Sequence, residues 1–120
     1  MGMDDDRALA LIGGGDLGED RTELTLEQAG QWLVLSLTSA HFFDLDLMLV
    51  ARIPGNGAMD FVTDPGRELR TLDRCRVGDV GFWTMMPLPH EQDLEFRWHQ
   101  SSLIQRIVRT IGLERLPGFR

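Results

Sequence analysis

Cysteine occurs once in this 120-residue chain, lysine does not occur, and no long apolar run is present. A lone Cys75 cannot form an internal disulfide, which suits a reducing compartment. No apolar stretch approaches the ~20 residues that a membrane span needs. The start, MGMDDDRALALIGGG, is acidic where a secretory signal is basic, and its apolar run covers only Ala8 to Ile12. The expectation is a cytoplasmic protein with no membrane partner. Catalytic signatures are equally scarce. Gly13-Gly14-Gly15 has no preceding strand and no following Gly-Lys-Ser/Thr, so it is no phosphate loop. There is no Gly-x-Ser-x-Gly, and the three histidines His41, His90 and His99 match no closed zinc spacing. No cofactor and no enzyme activity are expected.

What is present is an ordinary globular composition, 42% apolar and 26% charged, long enough for one conventional core. The net charge of −7 disfavours general nucleic-acid binding. Its distribution is uneven. Residues 1–64 carry 12 acids and 3 arginines, whereas residues 65–120 carry 7 acids and 9 arginines.

Residues 1–20 read as a short helix followed by a glycine-rich flexible linker, and residues 21–120 as a single domain. Leu24 and Leu26 alternate with polar neighbours as in a half-buried strand. A second strand follows over 31–38, with Trp32 and Val34 opposed to Leu33, Leu35 and Leu37. The stretch 44–53 alternates most clearly, Met48 and Val50 lying on the face opposite the leucines. Pro54-Gly55-Asn56-Gly57 signals a turn, and 58–63 its returning strand. Asp64-Pro65 is a helix start, after which Leu69, Leu72 and Cys75 recur at threes while Arg67, Arg70 and Arg74 take the other side. Strands are expected at 79–86 and 93–99, the latter with Leu94, Phe96 and Trp98 inward and Arg97 and His99 outward. A closing helix is expected from Ser101 or Ser102 to Ile111, with Leu103, Ile104, Ile107 and Val108 on its buried stripe. These elements define an α+β domain: an antiparallel sheet of about five to six strands with helices packed on it.

Such a sheet, covered on one side, cannot bury both of its apolar faces. Trp32, Met48, Val50 and Trp83 are the residues left to bind a partner, in a client polypeptide or a second copy of the chain. One competing reading is a small enzyme or a metal- or ligand-binding domain using His90, His99 and nearby acids. Another is a nucleic-acid-associated regulator working through Arg67, Arg70 and Arg74, although no aromatic residue interleaves with them on the expected helix.

The stretches ELTLEQAGQWLVLSLTS, DLMLVARIPG, GFWTMMPLP and SSLIQRIVRTIG, taken in order, resemble the class I type III secretion chaperones. The likeness implies a homodimer whose exposed strands and apolar patches hold an extended client segment without nucleotide hydrolysis. The opening helix is shorter than that family's, and the strand at 58–63 is an addition to its plan.

Overall fold

Short, nearly continuous apolar runs in QWLVLS and SAHFFD, buried on both faces, make paired strands, and short polar turns set their registers. The computed structural model describes residues 16–54, 64–91 and 93–111. Its strands are β1 (Asp16–Arg21), β2 (Gln31–Ser36), β3 (Ser39–Asp44), β4 (Leu49–Pro54), β5 (Asp64–Arg74), β6 (Val80–Met85) and β7 (Arg97–Ile111). All pairings are antiparallel. Strands β2 to β7 form a meander that β7 closes, pairing β6 through its first half and β2 through its second. The result is a closed six-stranded barrel. Strand β1 joins the end of β7, at Ile107 to Ile111, on the edge opposite β2.

The turns have local causes. Ser36 Oγ donates to the Ser39 carbonyl at 2.9 Å, closing the β2–β3 turn. Asp44 Oδ1 accepts the N–H groups of Asp46 and Leu47, both at 3.1 Å, and so forms the Asx turn between β3 and β4. Met48 completes it with φ of 55°, a left-handed conformation.

The expected α+β architecture is corrected to all-β. Among the described residues there is no helix, and both segments read as helical are strands. The cause is a set of β-bulges. On β5, Leu69 pairs Met85 but Thr71 pairs Thr84, so Arg70 is an extra residue; Leu72 pairs Trp83 but Arg74 pairs Phe82, so Asp73 is another. Each extra residue restores the inward face after three positions instead of two. Leu69, Leu72 and Cys75 therefore all reach the core from an extended chain. On β7 the register slips at Gln105, between the pairs Leu35–Arg106 and Ser36–Ile104, and brings Ile104 and Ile107 inward at the same spacing.

Other expectations also change. Residues 16–20, read as linker, belong to β1. The alternation of 44–53 runs through a turn before β4 begins at Leu49. The opening helix, the strand at 58–63 and the tail after Ile111 lie outside the described residues.

The core centres on Trp32, Trp83, Phe43, Val34, Leu24, Leu69, Ile104 and Ile107 inside the barrel. Leu24 is held there by its N–H, which donates to the Cys75 carbonyl at 2.9 Å. The outer side of the same strands is also buried. Leu33 pairs with Phe42 and Val108, Phe42 pairs with Ala51, and all four are at most 1% exposed. Curling the sheet hides one apolar face, and the other is hidden within the single chain.

Candidate functional site

Three of the four residues singled out for partner binding lie in the interior. Trp32 and Trp83 are each 1% exposed and Val50 is 3% exposed. The Trp32 indole N–H donates to the Ala29 carbonyl at 3.0 Å, and the Arg21 and Arg109 guanidinium groups lie 5.7 and 5.8 Å from its ring centre. Met48 is half-buried and packs against the core, and its carbonyl accepts the Leu69 N–H at 2.8 Å. These positions hold the barrel together.

The interior is not uniformly apolar. Ser39 and His41 follow Phe43's parity on β3 and so face inward, and His41 pairs in register with Arg52 of β4. From the far side β6 and β7 present the register pair Trp83 and His99. The His41 ring lies 4.8 Å from Trp83 and 5.0 Å from His99, and Trp83 lies 5.1 Å from His99. Ser39 Oγ is 3.2 Å from His41 Nε2. Burial, then the charges of His99 and Arg52, hold His41 well below the usual histidine range. Burial and Arg52 lower His99 in the same way. Both rings are thus neutral near pH 7 and can accept or donate one proton each. Arg52 Nε, like Arg67 Nε, is buried with no hydrogen-bond partner; the two differ in that Arg67 bonds to Glu91 through Nη2. The cluster opens outward, since Arg52 and His99 are only half-buried.

This arrangement revises two expectations. His99, expected outward, faces the interior, and its neighbour is His41 rather than His90, which lies exposed in the loop after β6. Glu91 beside His90 is committed elsewhere. Its carboxylate accepts Arg67 Nη2 at 2.7 Å and the Leu88 N–H at 2.8 Å, and pairs with Arg97. The Leu88 amide first, then the two arginines, outweigh desolvation and hold this carboxyl down at about 2. Among the described residues, no group of three or more His, Cys, Asp or Glu side chains could hold a metal ion. Cys75 is buried and its thiol is pushed up to about 12 by burial and by Glu23, which leaves it unreactive.

The outer face of β5–β6–β7 has a different character. Trp98 is 63% exposed, where the alternation in DLEFRWH placed it inward. It stacks on Phe82 at 5.8 Å with an interplanar angle of 17°. Arg70 lies 4.5 Å over the Phe96 ring, and its Nη1 donates to Thr84 Oγ1 at 3.3 Å. A cavity of about 350 Å³ beside Phe82 is lined by Asp73, Arg74, Val80, Phe82 and Gln100. Of the three arginines grouped on an expected helix, Arg67 turns to Glu91, whereas Arg70 and Arg74 stay exposed and gain aromatic neighbours, Phe96 from the loop preceding β7 and Phe82 from β6. Only strand pairing brings those rings beside them, so spacing along the chain carried no sign of it.

Fold and site together define a small closed antiparallel barrel with a polar interior end and one exposed aromatic–arginine face. Compared with family models, curated proteins and solved structures, the chain matches none. The segments taken for the helices of the secretion-chaperone plan are β5 and the second half of β7.

Proposed function

We propose that this chain is a non-enzymatic binding protein that engages a partner polypeptide through the outer face of β6 and β7, centred on Trp98 and Phe82. The carrying observation is the Trp98 indole, 63% exposed and stacked on Phe82. A tryptophan left largely in water on a sheet forgoes the burial of its apolar area, and tryptophan and arginine are the residues enriched in protein–protein hot spots.

A second reading, single-stranded nucleic acid, is favoured by one observation. Arg70 lies over the Phe96 ring and Arg74 lines the cavity beside Phe82, cations close to rings as a single strand uses them. The overall charge of −7 opposes it.

One experiment separates them. A photo-crosslinking amino acid at position 98, with the same group at exposed Glu27 as control, is activated in the source cells. A discrete protein adduct specific to position 98 supports the first reading, and an adduct with the chain itself identifies the partner as a second copy. A nuclease-sensitive adduct supports the second. Equal labelling at both positions overturns both.

A further inference from the structure

We propose that the cluster of Arg52, His99 and the His41 behind them binds, on its half-buried outer side, a small oxyanion, a carboxylate or a tetrahedral anion carried by a small molecule. The site is inside the end of the barrel near the β2–β3 turn and is independent of the outer face. Arg52 emerges from β4 directly opposite His41, and its Nε is shielded from water without a partner. Among the described residues no carboxylate bonds to its guanidinium, in contrast to Arg67, which holds Glu91. A guanidinium is a planar fork that matches the two oxygens of an oxyanion, and it stays charged at any working pH. The half-buried His99 offers its imidazole beside Arg52, and the buried His41 ring lies behind it, 5.0 Å between ring centres, with Nε2 held 3.2 Å from Ser39 Oγ. Trp83 forms the floor against both rings.

The surrounding charges set the pH dependence. β3 contributes His41, β4 contributes Arg52 and β7 contributes His99; β5 contributes Arg67, already paired with Glu91, and β2 and β6 contribute the uncharged Ser36 and Trp83. A bound anion offsets the Arg52 charge that lowers both histidines, so by linkage it binds more tightly as pH falls through their titration range.

Imidazole NMR of the full chain tests this, with sulfate as an anion of fixed charge, acetate as the carboxylate, and sodium chloride at matched ionic strength as control. The expected result is a saturable shift of the His41 and His99 signals with sulfate or acetate, absent with chloride, and a rise in both histidine pKa values. Which of the two probes saturates first tells tetrahedral from carboxylate recognition. Arg52→Gln is expected to weaken binding by about tenfold or more, the loss of a charged hydrogen bond, while Arg52→Lys retains part of it. Shifts that follow ionic strength alone overturn the proposal. So does an Arg52→Gln variant that binds like the parent. Should Arg52→Gln not fold, the Arg52→Lys affinity and the parent's saturation decide.

Discussion

Arg67 and Arg52 enter the barrel from neighbouring strands, and the molecule treats them in opposite ways. Arg67 is 10% exposed in its side chain, bonds to the 6% exposed Glu91, and also donates to the Met86 carbonyl at 3.3 Å. Its charge is cancelled by the chain itself, and the pair ties the loop after β6 to β5 and, through Arg97, to β7. Arg52 faces two neutral histidines and no bonded acid among the described residues. A desolvated cation with its counter-ion is structural; one without it leaves free energy for something else to recover. The contrast separates a stabilising region from a candidate site on the same barrel.

The largest effect of a charge replacement should come from breaking the satisfied pair. Glu91→Ala strands Arg67 in the interior with no acid, and thermal melting should show the greatest loss of stability among the charge replacements. Adding Arg67→Met should restore part of it, because the stranded charge and not the missing carboxylate is the main penalty. A Glu91→Ala protein that melts like its parent would remove the comparison.

Acid should break the two regions in sequence. All three groups have folded-state pKa values below their unfolded ones, so each contributes stability that is present at higher pH and lost on acidification. For His41 and His99 the loss begins as pH falls below about 6.5, the ordinary histidine value. For Glu91 it begins near 4.5 and completes towards about 2. Melting temperature against pH should therefore fall in two stages. In Arg52→Met the first stage should shrink, since the removed charge no longer depresses either histidine. A single stage below pH 4.5 would show that the histidines titrate alike in folded and unfolded chains.

The floor of the open mouth should prove tightly packed. A Cβ added at Gly81 would stand 2.7 Å from a Trp83 ring carbon and 2.9 Å from Ser101 Oγ. Gly81→Ala should therefore destabilise by about 1–3 kcal/mol, the range for overpacking, and alter the near-ultraviolet circular dichroism of Trp83. Arg52→Met should be milder. Replacing an unpaired, half-buried cation with an apolar side chain should leave denaturant stability within about 1 kcal/mol of the parent, on the stabilising side. A larger loss would mean that Arg52 has a structural counter-ion after all.

How much of this was legible in the sequence follows from strand geometry. The strand at 79–86 and the cores of β2 and β4 were readable because period-two alternation is local. β5 and β7 were not, because bulges at Arg70, Asp73 and Gln105 convert that period to three, the spacing of one helix face. A counter-signal existed in the β-branched run Ile104, Ile107, Val108, Thr110 and Ile111, which favours strands. The inward parity of Ser39, His41 and Phe43 was also open to reading, but nothing local places His99 or Arg52 beside His41. That juxtaposition arises when the sheet closes and brings β7 across from β3. The Asx turn at Asp44 was hidden because DLDLM continues the alternation by chance.

The smallest effect on stability should come from the residue with the largest proposed effect on binding. Trp98 is 63% exposed, and its ring contact in the chain is the stack on Phe82. Trp98→Ala should change stability by no more than about 0.5 kcal/mol, as surface replacements do. Trp32 and Trp83, each 1% exposed, make the reference case: replacing Trp83 with alanine should cost about 3–5 kcal/mol. Fluorescence gives an independent reading, because acrylamide should quench the parent through Trp98 and lose most of that quenching in Trp98→Phe. If Trp98→Ala instead melts like Trp83→Ala, the stack on Phe82 is part of the fold, and the outer face loses its claim to be a surface kept for a partner.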